Sequence, residues 1–183
     1  IILINVVFFL FPMLLNALFF LFNIPTNYYL NWLQLSPNLL TFIERPWSLI
    51  TYSFVHSGFF HLLWNMVLLY YAGRLLLNLF PDRIFINNYF LGVISGGLIF
   101  MSSYSIFPVF EGNYPPLIGA SAGVMAVFIF ICTYTPNQEI RFFFIKLKFG
   151  VSYNGWRQIY YLYPIIIYFS LCGVEFLIKK LNK

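Results

Sequence analysis

The chain has 183 residues, 61% of them hydrophobic and only 8% charged, with a formal net charge of +5. An ordinary soluble domain, with about 25% charged residues, is excluded, and the scattered positive charge speaks for orientation in a bilayer rather than for nucleic acid. The expected fold class is an all-α polytopic transmembrane bundle forming a single domain over residues 1–183.

Five stretches are long and apolar enough to cross about 30 Å of hydrocarbon: residues 1–22, 58–77, 84–107, 117–134 and 159–178. The first is longer than the apolar core of a secretory signal, and it lacks a basic start and a cleavage site, so it is expected to span. Residues 23–57 then form a long loop bearing Trp32, Trp47, several Tyr and Pro, and the pair Glu44 and Arg45. Aromatic residues suit the headgroup level, so this loop is expected to lie ordered on or in the outer leaflet.

The second stretch is entered through HSGFFHLLWNM, which places His61 and Asn65 at i and i+4, one above the other on one helix face, with His56 just before. The third carries the pair Gly96 and Gly97, and the fourth opens on GASAG, residues 119–123. Cys132 and Cys172 fall inside the fourth and fifth stretches, where packing is favoured over a disulfide or a metal site.

Basic residues cluster as Arg74 and Arg83 around the second turn and as Arg141, Lys146, Lys148 and Arg157 between stretches four and five. The positive-inside rule puts both regions, and the N-terminus, in the cytoplasm, and it puts residues 23–57 and 108–116 outside. Lys179, Lys180 and Lys183 then fall on the disfavoured side. The expected location is a bacterial inner membrane, with which the absence of N-x-Ser/Thr sites is compatible.

Two readings of GASAG compete. Gly119 and Gly123 form a small-xxx-small pattern that lets helices approach closely, with Ser121 bonded to the preceding turn. Alternatively, Ser121 is a nucleophile, with the glycines clearing room for a substrate carbonyl and for backbone N–H groups to point at it. A soluble nucleophile elbow needs a strand-turn-helix, and nothing here predicts the sheet.

Topology moves the second reading ahead of the first. At 1.5 Å per residue His61 lies about 5 Å, Ser121 about 6 Å and Asn65 about 10 Å below the outer ends of their helices. Three polar groups at similar depth could line a water-accessible cavity. Ser121 would attack a carbonyl while His61 and Asn65 donate to the oxyanion, each donor contributing roughly 3 kcal/mol.

Together, PWSLITYSFVHSGFFHLLWNM and GASAGVMAVF resemble the rhomboid intramembrane serine proteases, whose second helix carries H-x-x-x-N and whose fourth opens with G-x-S-x-G. The resemblance covers residues 1–148. It implies Ser121 as nucleophile and an oxyanion hole formed by His61, Asn65 and the Ser121 backbone N–H. Gly119 and Gly123 would frame the serine, and His56 would play a supporting role. Trp47 matches the tryptophan of the family's Trp-Arg loop motif, although Ser48 stands where the arginine would be. The implied partners are transmembrane protein substrates cleaved near the outer face through an acyl-enzyme, with no metal and no cofactor.

In rhomboids the general base is a histidine on a sixth helix in an A-H-x-x-G setting. This sequence has two histidines, His56 and His61, both ahead of Ser121. The expectation is therefore a rhomboid-type serine endopeptidase with an atypical segment over residues 149–183, its natural ending lost and its activity impaired. One alternative is a non-catalytic rhomboid-like protein that binds transmembrane clients. Another is a small channel or transporter, which would carry paired ionisable groups near the midplane.

Overall fold

A run such as ILINVVFFLFPMLLNALFFL has no polar face to turn toward water, and in hydrocarbon the only way to satisfy its backbone is helix. The computed structural model describes residues 1–24, 30–110, 112, 114–135, 139–142 and 145–148. They fall into two units, Ile1–Tyr134 and Thr135–Lys183.

The first unit contains the helices α1 (Ile2–Leu21), α2 (Leu39–Glu44), α3 (Ser48–Thr51), α4 (Phe59–Leu79), α5 (Asp82–Ile106) and α6 (Ser121–Tyr134). Short 3-10 turns occupy Leu30–Trp32, Tyr52–Phe54 and Pro108–Phe110. The helices α1, α4 and α5 are long and apolar enough to cross a bilayer, as expected of an integral membrane protein.

Burial follows the helical period. On α4 the buried stripe is Leu62, Asn65, Met66, Leu69, Ala72, Gly73 and Leu76, and on α6 it is Gly123, Val124, Val127, Ile131 and Cys132. Between α5 and α6 the backbones approach so closely that a β-carbon on Gly92 would stand 2.4 Å from Ala126 Cβ and 2.8 Å from the Ala122 carbonyl oxygen. One on Gly96 would stand 2.6 Å from Ala122 Cβ. Without a hydrophobic force between helices in lipid, such small-residue contacts are what hold them together. By contrast, only Asn5 of α1 is buried, and the other residues of that helix are half-buried or exposed.

Two expectations are corrected. The fourth stretch, expected as helix over residues 117–134, is helical only over Ser121–Tyr134. Leu117 instead exchanges main-chain hydrogen bonds with Leu35, at 2.8 and 3.2 Å, in a lone antiparallel bridge. Gly119 then takes φ +110°, which breaks any helix. Ser121 is therefore the first residue of α6 rather than a turn inside it. At 14 residues this helix is about 21 Å long, too short to cross the hydrocarbon alone.

The second unit contains a short antiparallel hairpin. Strand β1 (Glu139–Phe142) pairs with β2 (Ile145–Lys148), with Glu139 opposite Lys148 and Phe142 opposite Ile145. The expected fifth span, residues 159–178, and Cys172 lie outside the described residues.

Candidate active site

The site is built around the 3-10 turn at Tyr52–Phe54 and the residue after it. Tyr52, Ser53, Phe54 and Val55 are all buried, so their backbone groups must find partners inside the protein. The Tyr52 carbonyl accepts from Val55 N–H at 3.2 Å and from Gly119 N–H at 2.9 Å. The Tyr52 hydroxyl donates to the Val93 carbonyl of α5 at 2.7 Å. One residue thus ties the turn before α6 to the middle of α5.

His56 closes the same turn from the other side. Its Nδ1 lies 3.4 Å from the Phe54 carbonyl, which can only accept, and its Nε2 accepts from Ala120 N–H at 3.3 Å. Both contacts suit a neutral ring protonated on Nδ1. Burial first, and the neighbouring His61 second, pull the His56 pKa down to about 4, against a smaller opposing effect of the Phe54 carbonyl.

The His61 ring meets His56 edge to face, with centroids 5.0 Å apart. Its Nδ1 is 3.1 Å from the Ser57 hydroxyl, and its other edge faces Gly119. A β-carbon on Gly119 would stand 2.7 Å from His61 Nε2 and 2.8 Å from Cε1. Only glycine meets both demands, the left-handed backbone and the imidazole. Asn65 is buried one turn further along α4, its amide Nδ2 donating to the His61 carbonyl at 2.8 Å.

Ser121 opens α6 and is exposed. Among the described residues its hydroxyl has no hydrogen-bond partner. The first-turn N–H groups of a helix have no intrahelical partners, and the helix N-terminus carries positive potential that favours an anion beside it.

The structure therefore brings His56, His61, Gly119 and Ala120 together immediately before Ser121. It gives Gly123 a packing role, because Tyr89 lies against it and a β-carbon there would stand 2.7 Å from the ring. Trp47 belongs to a different cluster. It stacks on Trp32 at 6.2 Å with 2° between planes and donates Nε1–H to the Trp32 carbonyl at 2.8 Å. The Arg45 guanidinium sits 4.4 Å above the Trp32 ring.

Sequence reasoning missed Tyr52 and Tyr89. Tyr52 was grouped with the aromatics suited to the headgroup interface, whereas it is 1% exposed. No local pattern separates a buried tyrosine from an interfacial one.

Fold and site define a class: a polytopic helical membrane protein with a glycine-framed serine at the head of a short helix, beneath a paired-histidine turn. The Rhomboid domain family matches residues 44–176, and the chain belongs to the rhomboid family. That match runs past residue 148, where the motif resemblance stops. Among curated proteins, the chain is similar to the mitochondrial presenilin-associated rhomboid-like proteins. It is 27% identical to that of Bos taurus over 114 residues, covering 62% of this chain and 29% of the relative. It is 28% identical to that of Homo sapiens over 115 residues, covering 62% and 28%. The matched part is thus under a third of the length of these relatives. No solved structure matches the chain.

Proposed function

We propose that this chain carries the nucleophile and oxyanion half of a rhomboid-type intramembrane serine endopeptidase. The observation that supports it best is the His61–Gly119 contact, which sets an imidazole edge against the turn that presents an exposed serine at a helix N-terminus. Ser121 Oγ attacks a substrate carbonyl, a base takes its proton, and the new oxyanion is held by backbone N–H of the first turn of α6 and by His61. With the Ser57 hydroxyl donating to Nδ1, the His61 proton sits on Nε2, the edge facing Gly119. Asn65 donates to the oxyanion through the amide N–H that the His61 carbonyl does not hold. Water then releases the acyl group, and the substrates are membrane-anchored proteins cut near the outer face, with the N-terminus of the chain in the cytoplasm.

No general base is assigned among the described residues. Both ring nitrogens of His56 are engaged, by Phe54 and Ala120, and His61 serves as donor. Neither histidine of residues 1–183 is therefore placed to take the Ser121 proton. The presence of only two histidines, both ahead of Ser121, also favours a second reading, a rhomboid-like protein that binds transmembrane clients without cutting them.

A fluorophosphonate probe separates the two. The purified chain in lipid is labelled as it stands and after extension by a histidine-bearing sixth helix, each with its Ser121→Ala counterpart. Labelling that rises on extension and vanishes in Ser121→Ala is the expected result. No Ser121-dependent labelling in either chain, with client capture unaffected by Ser121→Ala, would replace peptidase by client binder.

A further inference from the structure

The hairpin of the second unit has two unlike faces. Ile140 pairs with Leu147 and Phe142 with Ile145, while Glu139 pairs with Lys148 and Arg141 with Lys146. Successive residues of a strand alternate between the faces of a sheet, and directly paired residues share one. The register therefore assigns Ile140, Phe142, Ile145 and Leu147 to one face and Glu139, Arg141, Lys146 and Lys148 to the other. The first face is wholly apolar, and the second carries three basic residues and one acid.

Three features set this ribbon apart from one made for water. A two-stranded hairpin is marginal in water unless something covers its apolar face. The sequence between the strands is Phe143-Phe144, without the Asn, Asp or Gly that short hairpin connections in water favour. Arg141 stands directly opposite Lys146, a like-charge pairing that costs stability until an anion offsets it.

An apolar phase bordered by anions answers all three, and a bilayer surface is such a phase. The hairpin belongs to an integral membrane protein and follows α6 by four residues in sequence. We infer that the 139–148 hairpin is a membrane-surface anchor. Its Ile140, Phe142, Ile145 and Leu147 face lies on the acyl boundary of one leaflet, and Arg141, Lys146 and Lys148 supply the charge that holds the phosphates of anionic lipid head groups. The logic is that of an interfacial amphipathic helix, with a period of two in place of 3.6.

The inference takes one thing from the proposed orientation, that the leaflet is the cytoplasmic one, where basic residues gather. It does not depend on whether Ser121 is reactive.

The test uses the full chain in vesicles, with Cys132→Ala and Cys172→Ala so that a nitroxide on an introduced cysteine can be placed at one hairpin position at a time. With anionic phospholipid present, nitroxides at 140, 142, 145 and 147 are expected to collide with dissolved oxygen, and those at 141, 146 and 148 with a water-soluble nickel chelate. In purely zwitterionic vesicles, or with Arg141→Gln and Lys146→Gln, nickel access at 142 should rise at least about twofold. Nickel access on both faces would put the hairpin in water and overturn the inference. Exclusion of both reagents from 140, 142, 145 and 147 would overturn it in favour of a covering protein surface. Access that is the same with and without anionic lipid would remove the head-group role. If a labelled chain fails to insert, Phe142→Trp with the native cysteines decides by brominated-lipid quenching. Its added fluorescence is expected to be quenched, and unquenched fluorescence counts against the anchor.

Discussion

The His61 imidazole occupies the space into which a side chain on Gly119 would project, with Nε2 only 2.7 Å from the position of a β-carbon. Gly119 also holds φ +110°, where an L-residue is strained. Gly119→Ala is therefore expected to lower unfolding free energy by about 1–3 kcal/mol and to push the His61 ring off the turn. Denaturation in mixed micelles reads the first effect. Fluorophosphonate labelling of the chain extended by a histidine-bearing helix reads the second, as a loss.

His56 supplies a pH dependence with a definite sign. Its folded pKa of about 4 lies below the usual 6.5, so between those values the unfolded chain binds a proton that the folded chain refuses. The stability that neutral His56 supports is full above about pH 6.5 and drains away as pH falls toward about 4. Thermal midpoints across that window should fall on acidification. His56→Gln, which keeps an acceptor for Ala120 N–H but cannot titrate, should flatten the slope, and an unchanged slope would assign it to other groups.

Close packing of α5 on α6 predicts a contrast between glycines. The neighbours of Gly92 are the α6 backbone and a methyl group that cannot swing aside, so Gly92→Val should cost about 1–3 kcal/mol. A β-carbon on Gly58 would meet nothing within 4 Å, and that residue sits extended at the N-cap of α4. Gly58→Ser should change stability by no more than about 0.5 kcal/mol. Equal losses at the two positions would contradict the packing described.

Tyr52→Phe removes only the hydroxyl that donates to Val93. The expected loss is about 1 kcal/mol, and the main-chain bond from Gly119 to the Tyr52 carbonyl remains. Hydrogen exchange at Gly119 should speed up no more than global unfolding does. A larger local increase would mean that the hydroxyl, rather than the backbone, secures the turn.

Much of the candidate site was legible because helices convert spacing into position. His61 and Asn65 share a face of α4 by arithmetic alone, and GASAG marks a place where main chain approaches main chain. What the sequence hid is backbone departure from helix. Leu117 to Ala120 are as apolar or small as the residues that follow, so hydropathy extends the helix back through them. Neither the positive φ of Gly119 nor the pairing of Leu117 with Leu35 leaves a mark on composition. Tyr52 and Tyr89 were hidden for a different reason, since their partners are carbonyls and side chains distant in the chain.

The Leu35–Leu117 bridge bears on the order of assembly. Its two halves are separated in the chain by both α4 and α5, so during synthesis two long helices enter the membrane before Leu35 has anything to pair with. Contacts between such distant segments carry a larger loop-closure cost and form slowly. The turn ahead of Ser121 is thus set late in biogenesis, and the serine emerges from the ribosome as an ordinary hydroxyl, acquiring its surroundings only when the bundle around it is already standing.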